Sequence, residues 1–140
     1  MKKVLFSLTL LFSMNIYSQS AQEVVTNFFE ALSSKDIETL KRLTVDDMNL
    51  HSLSLSSQIK SSSTSKQAFL DGFKNIPENV NIEERIFDIK SLLSENLAQF
   101  KVHYEFYVNN KLSHSGINVL TLLNTEDGWK ISYIADTRKK

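Results

Sequence analysis

The sequence predicts an α+β fold, with N-terminal helices packed on a strongly curved antiparallel sheet. Three observations carry this. Apolar residues recur every three to four positions through the first half and every two positions from Val80 onward. The late segments are joined by Ser94-Glu95-Asn96, Asn109-Asn110 and Asn124-Thr125-Glu126-Asp127-Gly128, all short and rich in turn-forming residues. Loops that short make neighbouring strands antiparallel, so the helices segregate to one side of the sheet.

Taken in order, Met1-Lys2-Lys3 and the uncharged apolar run 4–16 precede a small polar segment ending at Ser20. This is the pattern of a secretory signal peptide over 1–20, with the domain proper over 21–140. The apolar run is shorter than the ~20 residues a membrane-spanning helix needs, so no stable membrane insertion is expected after cleavage. The expected compartment is the periplasm or the outside of the cell.

Val24, Val25, Phe28, Phe29 and Leu32 form one stripe of a helix over about 22–33. Ile37, Leu40 and Leu43 continue in a second helix with Asp36 as its N-cap. Residues 48–56 alternate as a strand, with Met48, Leu50, Ser52 and Ser54 on one face and His51, Leu53 and Leu55 on the other. The Ser-rich segment that follows is expected to be a loop or edge strand. It ends in Thr64-x-x-Gln67, a capping-box pattern that opens a third helix through Phe69, Leu70 and Phe73 to about Pro77. Four strands are expected over 82–93, 97–108, 111–123 and 129–137, with Trp129 a core anchor.

Composition narrows the function. With 16 Lys+Arg against 16 Asp+Glu the formal net charge is +0, and no basic stripe is present to neutralise phosphates, so a nucleic-acid partner is not expected. The absence of Cys removes disulfides, thiolate nucleophiles and Cys-based zinc sites. Three His residues without characteristic spacing give no metal signature, and no cofactor is expected.

The tandem helices of Asn27 to Leu43 (NFFEALSSKDIETLKRL), the later hairpins and the Trp-anchored last strand resemble the nuclear transport factor 2-like superfamily, which has a cone-shaped α+β fold. Glu83-Glu84-Arg85, Tyr104 to Tyr107, His114 to Asn118, Gly128 to Ile134 and Asp136-Thr137-Arg138 are similar to its bacterial SnoaL-like branch, which also carries the label lumazine-binding. Ser115 stands where related sequences often have Cys, so no thiol role carries over. The superfamily holds dehydratases, isomerases and cyclases as well as non-catalytic binding and dimerisation modules, so the fold does not fix the function.

If Asn109-Asn110 makes a two-residue type I′ turn, simple counting places Glu105 opposite His114 and His103 opposite Gly116. One face then carries His103, Glu105, Tyr107, His114, Asn118, Leu120 and Leu122; the other carries Phe100, Val102, Tyr104, Phe106, Ile117 and Val119. A slip of one residue would pair His114 with Phe106 instead. In the resemblance Leu120 and Leu122 point inward, which puts His114 and Glu105 in the pocket as the candidate catalytic pair. His114 would move a proton and Glu105 would orient the imidazole. Tyr107, Asn118, His103 and His51 are the candidate pocket residues. The plainer reading of the same pairing is a cross-strand hydrogen bond that satisfies buried polar groups or orients a ligand. Arg85 is expected to pair with Glu83 or Glu84, and Arg138 with a nearby carboxylate. The expected activity is binding of a small apolar molecule, extending to dehydratase- or isomerase-like proton transfer. The alternative is a non-catalytic module whose convex face (Tyr104, Phe106, Ile117, Val119, Ile134) forms a homodimer or docks another protein.

Overall fold

The computed structural model describes residues 19–140, so the expected signal segment lies outside the described residues but for its last two. In chain order the elements are α1 (Ala21–Ser34), α2 (Ile37–Arg42), β1 (Thr44–Leu55), β2 (Ile59–Ser65), α3 (Lys66–Lys74), β3 (Ile82–Leu93), β4 (Leu97–Val108), β5 (Lys111–Thr125) and β6 (Gly128–Arg138). The strands form one six-stranded sheet in the order β2-β1-β6-β5-β4-β3. The architecture is the expected helix-on-curved-sheet α+β fold, with one refinement. The β1–β6 pair is parallel, because the chain leaves β1, closes β2 and α3 beside it, and returns to β1 only with its last strand.

Local chemistry explains the boundaries. Ser20 accepts from the Glu23 N–H while the Glu23 carboxylate accepts from the Ser20 N–H, a complete capping box for α1. Lys35 ends α1 in the left-handed region at φ 55°, and its Nζ donates to the Pro77 and Val80 carbonyls, which ties the end of α1 to the loop before β3. Asp36 caps α2 by accepting from the Thr39 N–H. The expected Thr64–Gln67 capping box does not form. Ser65, the last residue of β2, is the N-cap of α3 and accepts from the Ala68 N–H, one position after Thr64.

The helices cover the concave side of the sheet. Val24, Val25 and Phe28 from α1 and Leu40 from α2 meet Met48, Phe100, Val102, Leu120, Leu122 and Ile131 from the strands, all buried. At ~25 cal/mol per Å² of apolar surface removed from water, each such side chain contributes on the order of 2 kcal/mol. Lys66 is also buried; its Nζ donates to the Lys41 and Thr44 carbonyls at 3.0 Å each, joining α3 to the end of α2.

Asn109 and Asn110 adopt φ 48° and 62°, the left-handed pair that a type I′ turn requires, and Val108–Lys111 and Tyr107–Leu112 pair as counted. Then the register slips. Ser113 is an extra residue on β5, a β-bulge, so His114 pairs with Phe106, Glu105 with Ser115, Tyr104 with Gly116 and Val102 with Asn118. The expected Glu105–His114 pairing is therefore wrong by one residue, and every side chain on β4 changes face relative to the later half of β5. Tyr104 and Phe106 join Leu120 and Leu122 on the concave side, and Glu105, Tyr107 and His103 go to the convex side with Ile117 and Val119. Ile134 is buried on the concave side as well.

Candidate functional site

Between α1, α3 and the concave sheet lies a cavity of about 300 Å³. Its helical wall is apolar: Phe28, Phe29, Leu32, Phe69 and Phe73. The Phe28 and Phe69 rings stack at 6.0 Å and Phe73 meets Phe69 edge-on at 5.0 Å, so the wall is built of interlocked rings. The sheet wall is different. It carries Glu84 from β3, Tyr104 and Phe106 from β4, His114 and Asn118 from β5, and Asp136 and Arg138 from β6.

Among these groups Glu84 pairs with Asn118 and Asp136 with Arg138. Glu84 is held at its backbone, where its N–H donates to Ser33 Oγ at 2.9 Å, and at its carboxyl, where Oε1 accepts from Asn118 Nδ2 at 3.1 Å. Burial pushes the Glu84 carboxyl up to about 7; the Asn118 hydrogen bond opposes this, the Asp136 charge adds to it and Arg138 offsets it. Asp136 Oδ2 accepts from Arg138 Nε at 3.0 Å, while Oδ1 is closed to solvent with no hydrogen-bond partner among the described residues. The His114 ring stacks on Phe106 with centroids 4.9 Å apart, and Ser113 Oγ lies 3.2 Å from its Nδ1. Burial lowers the His114 pKa below its ordinary value, Arg138 and Lys140 adding to this and Asp136 opposing it, so at neutral pH the imidazole is uncharged.

Tyr104 closes the floor. Its hydroxyl donates to the Thr137 carbonyl at 2.9 Å, and burial raises its pKa far above the usual phenol value. That bond depends on Gly116. A Cβ at position 116 would stand 1.8 Å from the Thr137 carbonyl oxygen, so only glycine lets the β6 backbone come this close. Close approach of β6 at this point places Asp136 and Arg138 on the cavity.

Of the residues singled out in the sequence, His114 and Asn118 line the cavity. Glu105, Tyr107, His103 and His51 do not, and each has another setting. Tyr107 Oη donates to Glu105 Oε2 at 2.7 Å on the convex face, where the Arg85 guanidinium lies 4.1 Å from the Tyr107 ring centre and binds Glu83 through two hydrogen bonds. His103 lies 3.4 Å from the Asp88 carboxylate, and His51 is exposed beside Tyr133. Glu105 and His114 therefore point to opposite sides of the sheet, and no catalytic dyad exists between them.

Glu84, Tyr104, Asp136 and Arg138 were absent from the sequence-based site. A signal for three of them was available. Glu84 is in phase with Ile82 and Ile86, Tyr104 with Val102 and Phe106, and Asp136 with Ile134, so each is a polar group on the apolar face of a strand. Among the described residues no three His, Asp or Glu side chains gather in a way that could hold a metal ion, and no helix is long and apolar enough to cross a membrane.

Comparison with known proteins agrees with this fold. Residues 22–134 match the domain of unknown function DUF4829. No relative among functionally curated proteins matches the sequence. An NTF2-like protein from Cytophaga hutchinsonii superposes with a TM-score of 0.69 at 13% identity, covering 84% of this chain and 93% of that one. The beta subunit of an aromatic-ring-hydroxylating dioxygenase, provisionally so described, from Novosphingobium aromaticivorans gives 0.67 at 11% identity over 85% and 86%. A protein from Streptomyces avermitilis, provisionally described as a dehydratase of the NTF2-like family, gives 0.62 at 18% identity over 82% and 90%. At such identities the likeness establishes the fold, which is NTF2-like, and leaves chemistry to the site.

Proposed function

We propose, for a chain that belongs to the DUF4829 family and carries the NTF2-like fold, an exported protein of SnoaL-like type that binds a small, mostly apolar molecule in its cavity. The observation that carries this reading is the cavity of about 300 Å³ itself, whose phenylalanine-rich helical wall faces a sheet wall bearing Glu84, Tyr104, His114, Asn118, Asp136 and Arg138, where burial pushes the Glu84 carboxyl up to about 7. Perturbed titrating groups gather at working sites, where burial and neighbouring charges tune them to their task.

A dehydratase- or isomerase-like proton transfer extends this reading. A carboxyl that is half protonated near neutral pH can give a proton to a substrate oxygen or take one from carbon with little bias either way. Asn118 fixes one Glu84 oxygen, so the proton is presented on the other. Tyr104 keeps its proton and points it at the protein backbone, which makes it floor and not acid. The uncharged His114 imidazole offers a second group able to pass or accept a proton.

The test is a screen of small apolar carbonyl and hydroxyl compounds by amide chemical-shift mapping, followed by exchange of substrate C–H into heavy water. Binders should shift Tyr104, His114 and Asn118 and spare His51 and His103, and any exchange should disappear in Glu84→Gln. Binders that shift only the convex face would overturn the proposal.

A second reading has one observation in its favour. On the convex face Leu53, Ile117, Val119 and Ala135 line an apolar groove beside the exposed Tyr133, a surface suited to a second copy or another protein. A concentration-independent monomer by sedimentation would remove the homodimer from consideration.

A further inference from the structure

Asp136 stands opposite Asn118 in the β5–β6 register, and only 7% of its side-chain surface is exposed. Its Oδ2 is taken by Arg138 Nε, but Oδ1 has no donor among the described residues. Nearly all buried polar atoms in folded proteins have a hydrogen-bond partner, and where the group belongs to a cavity wall a bound molecule can supply it. On the same sheet wall Asn118 takes Glu84 Oε1. Glu84 Oε2, left without a bond to the described side chains, is the oxygen that carries the proton when the acid is neutral.

The cavity wall thus holds one acceptor and one donor that no described side chain uses; Oδ1 is covered in this structure, so a ligand meets it by turning the Asp136 side chain toward the cavity. We infer that the cavity takes a neutral apolar molecule bearing a hydroxyl group, whose O–H donates to Asp136 Oδ1 while its oxygen accepts from the Glu84 carboxyl. A hydroxyl gives and takes at once. A ketone or an ether has nothing to give to Asp136, and an ammonium only gives and would sit beside the Arg138 guanidinium. The inference rests on the ligand-binding reading above and adds the functional group that the ligand must carry.

The test uses five probes on one skeleton: 1-indanol, 1-methoxyindane, 1-indanone, 1-aminoindane and indane, titrated at pH 6 with amide shifts read at Tyr104, His114 and Asn118. A site built to pair a hydroxyl rejects analogues that lack it, so 1-indanol should bind at least tenfold tighter than the ether, the ketone and the hydrocarbon. In Asp136→Asn, Arg138 holds the amide oxygen and the amide N–H₂ takes the place of Oδ1. The preference should then reverse, with 1-indanone overtaking 1-indanol. If that variant does not fold, the wild-type ranking decides by itself. Cavity shifts with equal affinities for alcohol, ether and hydrocarbon would overturn the hydroxyl inference and leave the ligand-binding reading standing, as would tightest binding of 1-aminoindane. No cavity shift from any of the five would overturn both.

Discussion

Replacing Glu84 by Gln should change how stability depends on pH, and the structure sets the size. The carboxyl sits at about 7 in the folded protein against an ordinary value of 4.5, chiefly through burial, with the Asp136 charge adding to it against the Asn118 hydrogen bond and Arg138. A raised acid holds its proton more tightly folded than unfolded. Its contribution is therefore fully present below pH 4.5, is lost as pH rises from 4.5 to 7, and is gone above. At ~1.36 kcal/mol per pH unit that interval is worth roughly 3 kcal/mol. Gln has the same shape, still accepts from Asn118 Nδ2 through its Oε1, and does not ionise. Urea unfolding of both proteins, followed by circular dichroism at several pH values, isolates this group, because the other titrating residues cancel in the difference. The two should be within experimental error of each other near pH 4.5. The variant should gain steadily through pH 5 to 7 and end roughly 3 kcal/mol more stable at pH 8.5. A difference that stays flat with pH, or one that favours wild type as pH rises, would show that Glu84 is not raised by burial.

Gly116→Ala should cost ~2–4 kcal/mol by urea unfolding, since the new Cβ forces the Thr137 carbonyl away and breaks its bond with Tyr104. Gly72→Ala in α3, where a Cβ meets nothing within 4 Å, should instead be neutral or stabilising by up to ~1 kcal/mol. Lys66→Ala should cost ~2–3 kcal/mol, because the Lys41 and Thr44 carbonyls lose a buried donor, and Lys66→Met should recover only the part due to packing of the stem. Proton NMR of the imidazoles should show no change in the His114 midpoint in Glu105→Gln. In Asp136→Asn it should fall further, since Asp136 is the charge that holds it up.

The element map was legible in the sequence because each signal was local. The 3.6-residue stripe of α1, the cap at Asp36 and the Asn109-Asn110 turn all depend on neighbours within a few residues, and β3 and β4 begin and end where the alternation does. The parallel β1–β6 contact was not legible, since nothing near residue 50 announces a partner more than eighty positions away. Nor was the bulge at Ser113. A single extra residue leaves the alternation of β5 intact on either side of it and moves every side chain of β4 to the other face relative to Asn118 and Leu120. One slip therefore removed Glu105, Tyr107 and His103 from the site and brought in Tyr104 and Phe106. Glu84 and Asp136 could have been found by asking why a carboxylate interrupts the buried phase of a strand. That question looks past the pairing register and so survives an error in it.

Glu84, on the wall of the cavity, holds its proton up to about pH 7. The direct measurement is a carbon-13 NMR titration of the Glu side-chain carboxyls, with the Glu84 signal assigned by its loss in Glu84→Gln. That one signal should titrate with a midpoint near 7, and the exposed Glu83, which its ion pair with Arg85 holds below 4.5, should titrate well under it. A Glu84 midpoint in the ordinary carboxylate range would mean that the cavity wall leaves this carboxyl unperturbed.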